Sequence, residues 1–179
     1  MSTNVPAVHS VHVYNESSDL IARLCGIVSS SLKIGDAVLI VATGEHRDQL
    51  VKALLEAGVD VRAYARERRY TMIDANEMLA TFMLHGMPDR DLFMASVGNL
   101  LVKIRQAARS QGQGITVFGE MVAVLWDQGS KEAALELEGL WNDVLNDRAF
   151  HLHCAYPRLG FINQADEAAV CNVHSHVVQ

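Results

Sequence analysis

Carboxylates, hydroxyls and imidazoles standing directly after apolar runs are the residues of this chain with chemistry to offer. Ile115 to Phe118 is an apolar and β-branched run that follows a glycine-rich turn (Gly112, Gly114) and leads into Gly119-Glu120, as a buried strand of an α/β sheet ends. Ligands of open α/β sheets gather outside the carboxyl ends of the strands, so Glu120 is the leading single-residue candidate. Capping a helix or pairing with an arginine are its alternatives. The same reasoning collects Tyr14 and Glu16 after the first strand, Thr43 after the second, Asp74, and Tyr156 after the last. In a parallel sheet these side chains share one rim, and nearby Met, Phe and Trp residues give it an apolar floor, which suits a small, partly apolar ligand. Asp74 with Glu77 three residues on also reads as a capping box. Glu120 and Asp74 together have the composition of an acid/base pair.

The histidines come in close pairs: His9 and His12, His151 and His153, His174 and His176. On a strand, His151 and His153 point to one face and Cys154 to the other. No Cys-x-x-Cys, and no His-x-x-x-His with a third ligand, accompanies them, so they read as packed or solvated imidazoles. No metal and no other cofactor is expected; His151, His153, His174 and His176 are the weak metal candidates. A phosphate-binding loop after the first strand needs glycines and a lysine, but that position holds Tyr14-Asn15-Glu16-Ser17-Ser18-Asp19, whose acids repel an anion. ATP hydrolysis is therefore not expected. Nor is nucleophilic catalysis: there is no Gly-x-Ser-x-Gly elbow, and Cys154 in an apolar strand has no reason to ionise. The basic cluster Arg62, Arg66, Arg68 and Arg69 reads as a solvated turn or a contact for an acidic partner surface.

The elements that must position these groups alternate along the chain. Val11–Tyr14 reads as a strand and Asn15–Asp19 as the start of a helix, with Leu20, Leu24, Ile27 and Ser31 on one stripe, ending at Gly35. Ala37–Ala42 is a continuous apolar run covered on both faces. A second helix turns Leu50, Val51, Leu54 and Leu55 inward and stops at Gly58; Val59–Tyr64 is a weaker strand and Tyr70–Ile73 another. Asp74 opens a helix through Met83, His85–Pro88 breaks it, and Asp89 starts a long helix with Phe93, Val97, Leu101 and Ile104 on its apolar face. After Trp126, a helix buries Ala134, Leu137, Trp141 and Val144 and turns Glu132, Glu136 and Glu138 to solvent. Phe150–Ala155 is the last strand, closed by Tyr156-Pro157, and the tail from Gln164 to His174 forms one more short helix. The alternation predicts a three-layer α/β/α sandwich around a mostly parallel sheet.

Half of the 179 residues are apolar, enough for one sizeable core, and a single domain spanning residues 1–179, with its core at about 9–178, is expected. The net charge of −6, with no basic block longer than Arg66–Arg69, argues against a nucleic-acid or membrane-surface partner. No apolar run is long enough to span a bilayer, and Met1–Pro6 lacks the features of a signal peptide, so a cytoplasmic location is expected. Three cysteines at no recognisable spacing read as reduced thiols behaving mostly as small hydrophobes.

The order of short motifs resembles one family. His12-Val13-Tyr14-Asn15, Gly35-Asp36-Ala37-Val38, Ala57-Gly58-Val59-Asp60-Val61, Ile73-Asp74-Ala75-Asn76-Glu77, Phe118-Gly119-Glu120-Met121-Val122, Leu137-Glu138-Gly139-Leu140-Trp141-Asn142, Cys154-Ala155-Tyr156-Pro157 and His174-Ser175-His176-Val177 together resemble the MEDS domain, the sensory domain of methanogens, methylotrophs and the dichloromethane-responsive regulator. The resemblance implies a fold related to the RecA and KaiC ATPase core without its phosphate-binding loop. It also implies a non-catalytic input domain for small hydrocarbon-type molecules, coupled to a histidine kinase or transcription regulator, with a homo-oligomer allowed. In the family pattern Tyr14, Asp74, Glu120, Cys154, Tyr156 and His174–His176 recur. The competing expectation is an interaction or dimerisation module with a degenerate, non-hydrolysing nucleotide site.

Overall fold

A computed structural model describes residues 8–108, 114–147 and 150–178; Gly112 and the Met1–Pro6 segment lie outside the described residues. In chain order the elements are β1 (Val8–Tyr14), α1 (Ser17–Ile34), β2 (Ala37–Ala42), α2 (Gly44–Glu56), α3 (Val61–Arg66), β3 (Tyr70–Asp74) and α4 (Ala75–Ala80). The strands β4 (Met83–Leu84) and β5 (Met87–Pro88) follow, then α5 (Arg90–Phe93), a π-helical segment Met94–Gly98, α6 (Asn99–Ala107), β6 (Ile115–Gly119) and α7 (Met121–Asp127). The chain closes with α8 (Lys131–Asp147), β7 (His151–Pro157), a 3₁₀ turn Arg158–Gly160, α9 (Gln164–Asn172) and β8 (His176–Val178). Six strands form one sheet in the order β3-β2-β6-β7-β1-β8, and every neighbouring pair is parallel.

Every residue of β2 is buried, because helices cover both faces of the sheet. On one face, Leu20, Leu24, Val28 and Leu32 of α1 and Leu50 and Leu54 of α2 pack on Val38, Ile40 and Phe118. On the other, α4 to α9 pack on Val11, Val13, Leu39, Val41, Val117 and Leu152. Phe82, Phe93 and Trp141 join edge to face there, with ring centroids 5.2 and 5.3 Å apart, a geometry favoured by the ring quadrupoles. The first helix stops where expected. Gly35 takes φ 98°, and the N–H groups of Gly35 and Asp36 return to Leu32 and Ser31 carbonyls, a Schellman closure that a side chain would strain.

Several local expectations are corrected. Val59–Tyr64 is not a strand: the Asp60 carboxylate accepts the Ala63 N–H at 2.9 Å and starts α3, so a cap overrides an apolar alternation too short to fix a period. Leu55 is 56 % exposed, off the buried stripe of Leu50 and Leu54. The helix after Asp74 ends at Ala80, and His85-Gly86, both at positive φ, turn the small β4–β5 hairpin. The long helix after Asp89 is interrupted by its π segment. The seventh strand is not the last, since β8 adds to the outer side of β1. Arg69 is not part of a solvated turn; it is buried, donates to the Leu32 and Asp36 carbonyls and stacks on Tyr64. Glu138 does not face solvent and is wholly buried.

Candidate functional site

Glu120 follows β6, and its N–H donates to the Val41 carbonyl at 2.9 Å, continuing the ladder with β2. Its side chain does not cap the helix it precedes. It reaches across the end of β2, where Oε2 accepts the Thr43 N–H at 2.8 Å and Oε1 lies 2.5 Å from His46 Nδ1. Thr43 is the N-cap of α2 and His46 lies in its first turn, so the strand-to-helix turn delivers both partners. His46 Nε2 in turn lies 3.0 Å from Ser17 Oγ, the first residue of α1. Three strand ends are thus tied in one chain: hydroxyl, imidazole, carboxylate.

Glu120 and His46 are both buried. The hydrogen bond that His46 donates to Glu120 raises the His46 pKa against the opposing effect of burial. With the Nδ1 proton directed at Glu120, neutral His46 presents Nε2 as an acceptor for the Ser17 hydroxyl; the imidazolium donates there instead. Tyr14 closes the group, its ring 6.2 Å from that of His46. Burial first, and then the charge of Glu120, pushes its phenol pKa up, so it stays a neutral donor or acceptor.

The other expected rim residues divide. Asp74 lies beside this group: one oxygen caps α4 through the Asn76 and Glu77 N–H groups, and the other accepts from Arg47 at 2.9 Å. Backbone donors and Arg47 hold its carboxyl below the usual range against the desolvation that raises it. Glu16 is exposed and uses its backbone carbonyl, not its side chain, at the start of α1. Tyr156 leaves the rim. It is fully buried on the opposite face of the sheet, donates to Glu138 Oε1 at 2.8 Å and packs against Trp126 and Phe161. Of the Met and Trp residues expected to floor the rim, Met121 and Trp126 belong to the core on that opposite face.

The histidine pairs separate as well. His153 bonds Ser10 Oγ at 2.7 Å on the α1 face, and burial, then the charge of His151, lowers its pKa to about 4. His151 shares that face of β7, half-buried, and His176 is exposed beside Ser175. His174 is brought against His9, Glu138 and Cys154. Burial and the Glu138 charge push the Cys154 thiol up.

Ser17, His46 and Arg47 escape sequence reading, because they are 73 to 103 positions from Glu120 and only the folded turns bring them together. The one available signal is placement directly after an apolar strand, which Ser17 and His46 share with Thr43.

A family model described as "MEDS: MEthanogen/methylotroph, DcmR Sensory domain" matches residues 8–175. No protein of curated function matches the sequence. Among solved structures, an uncharacterized protein from Pyrococcus horikoshii, crystallised with an unknown peptide, is similar in fold. It is 14 % identical, with a TM-score of 0.70, over 94 % of this chain and 74 % of that one.

Proposed function

The chain belongs to the MEDS family of sensory domains, and from that premise we propose that it senses a small molecule at the strand-end rim built by Tyr14, Ser17, His46 and Glu120. The observation that supports this reading is the Ser17–His46–Glu120 chain, a polarised set, buried at His46 and Glu120, at the edge where α/β sheets take ligands. A ligand bonded to Ser17 or Tyr14 alters the proton position on His46, and through Glu120 and the Thr43 N–H the start of α2. That is a route from occupancy to a shift in a packed helix. The ligand class is small and partly apolar, of hydrocarbon type, and the reading is non-catalytic. The output partner is a histidine kinase or transcription regulator, reached directly or through self-association, and the fold is kin to the RecA and KaiC core with the nucleotide role lost. Among the described residues, no helix is long and apolar enough to cross a membrane.

Thermal-shift screening against small halogenated, methylated and aromatic compounds tests this. A ligand at 100 times its dissociation constant adds about 2.7 kcal/mol of stability. Loss of that shift in Glu120→Gln, with the fold retained, supports the rim as the site; a shift unchanged in both Glu120→Gln and Ser17→Ala places the ligand elsewhere.

A second reading is favoured by the same geometry, since hydroxyl, imidazole and carboxylate stand in the order used for acyl transfer. Stoichiometric labelling of Ser17 by a fluorophosphonate, absent in His46→Ala, would establish it in place of non-catalytic sensing.

A further inference from the structure

On the face of the sheet away from the rim, four side chains from four parts of the chain converge: His9 from β1, Cys154 from β7, Glu138 from α8 and His174 from the turn after α9. Each offers one ligand atom, and these atoms lie within 4.8 Å of one another. We propose that His9, Glu138, Cys154 and His174 form a four-coordinate site for a divalent cation of the zinc class.

Spacing carries the first part of the argument. Zinc bonds of about 2.0–2.3 Å to N, O and S in a tetrahedron require ligand-to-ligand separations of roughly 3.3–3.6 Å. His9 Nε2, Cys154 Sγ and Glu138 Oε2 match this, at 3.2 Å (His9–Glu138), 3.4 Å (His9–Cys154) and 3.6 Å (Cys154–Glu138); His174 Nε2 lies 3.3 Å from the other carboxylate oxygen, Oε1, and joins the set within the 4.8 Å limit.

Proton direction carries the second. Asn142 donates its amide to the Val173 carbonyl at 3.0 Å, which fixes its oxygen toward His9 Nδ1 at 2.8 Å. His174 Nδ1 faces the Val170 carbonyl at 2.7 Å. Both Nδ1 atoms must therefore carry protons, and in the neutral imidazoles both Nε2 lone pairs point into the cluster. Outer hydrogen bonds orient metal-bound histidines in this way. His174 Nε2 is buried, with Glu138 Oε1 3.3 Å away but out of hydrogen-bond alignment, and its lone pair is available to a metal bond.

Charge carries the third. Two neutral imidazoles, one thiolate and one carboxylate sum to −2, which a divalent cation neutralises in a site where Glu138 and Cys154 are 0 and 1 % exposed. Binding releases the thiol proton of Cys154 and breaks no other covalent bond. The mixed S, N and O donors suit zinc over magnesium or calcium. The Tyr156 hydroxyl supports Glu138 from outside the cluster, and Ser175, bonded through its N–H and Oγ to the His9 carbonyl, holds the His174 turn in place. The cation would thus fasten the C-terminal segment to β1 and α8, away from the sensory rim.

The test is metal content and Co²⁺ spectroscopy of the purified chain after chelator treatment. One equivalent of Co²⁺ with a tetrahedral spectrum and a thiolate charge-transfer band is expected, with Zn²⁺ displacing it. Cys154→Ser should lose the band, and Asn142→Ala should weaken binding roughly 10- to 100-fold. His151→Ala and His176→Ala should leave stoichiometry and spectrum unchanged. Failure of the folded wild-type chain to bind one equivalent, or a Co²⁺ spectrum without the thiolate band, overturns the site without reference to any variant's folding.

Discussion

Nδ1 of His46 lies 2.5 Å from Oε1 of Glu120, and both side chains are withdrawn from water, at 9 and 4 % exposure. Removing one partner of a buried pair strands the other, so Glu120→Ala should cost about 3–5 kcal/mol. It also leaves the Thr43 N–H without its carboxylate acceptor. Glu120→Gln keeps an oxygen for Thr43 and should cost less, about 1–3 kcal/mol. Urea unfolding of the two variants gives the ranking; equal losses under about 1 kcal/mol would mean the pair does not hold the rim together.

The same contact sets a pH dependence. The folded-state pKa of His46 is raised above 6.5 by the Glu120 hydrogen bond, so below 6.5 both folded and unfolded forms are protonated and the stabilisation is fully present. As pH rises, the unfolded chain loses the proton first, and the contribution falls until the folded pKa is passed. The charged and titratable groups around His46 are Glu120, Glu45 and the Tyr14 phenol. Stability from this source should therefore decline on the alkaline side of 6.5, and His46→Gln should flatten that part of the profile. Chemical denaturation across that range checks the sign; a wild-type profile that rises there while the variant's does not would refute it.

How much of this was legible in the sequence depended on whether the cause was local. The unbroken burial of Ala37–Ala42, the stop at Gly35 and the cap at Asp74 are written in neighbouring residues, and the motif order carried the family. Glu120 was legible as a residue, because an apolar strand delivers it, and so was Thr43; His46 and, beyond it, Ser17 were not, since they join Glu120 only at the shared sheet edge where β1, β2 and β6 end. Glu138 was misread for a related reason. Helical spacing places it beside Leu137 and Trp141 at the edge of the apolar stripe, and only the polar side chains of β1 and β7 beneath α8 draw it inward. The α3 segment shows the opposite failure, where a short alternation imitated a strand and one Asp60 cap decided for helix.

Asp74 combines a cap with an ion pair, and two substitutions separate them. Asp74→Asn keeps an oxygen for the Asn76 and Glu77 N–H groups but gives up the charge facing Arg47. Asparagine is as good an N-cap as aspartate, and a partly exposed ion pair contributes about 0–1 kcal/mol, so a loss under about 1 kcal/mol is expected. Asp74→Ala removes both and should cost about 1–2 kcal/mol. Thermal melts of the pair check the order; equal losses would assign the effect to the Arg47 contact.

Two buried tyrosines offer opposed outcomes for the same change. The Tyr156 hydroxyl donates to Glu138 Oε1 at 2.8 Å, so Tyr156→Phe leaves a buried carboxylate short of a donor and should cost about 1–3 kcal/mol. The Tyr70 hydroxyl is buried with no hydrogen-bond partner among the described residues, and it sits among Val38 and the apolar α2–α3 contacts. It carries a desolvation cost that nothing offsets, so Tyr70→Phe should be neutral or stabilising by about 1 kcal/mol. The two variants differ from wild type by one oxygen each, which makes cavity and packing effects small. Equilibrium unfolding of both, measured side by side, should move the midpoint in opposite directions or leave Tyr70→Phe unmoved; a comparable loss in both would mean that the Tyr70 hydroxyl is hydrogen-bonded in solution.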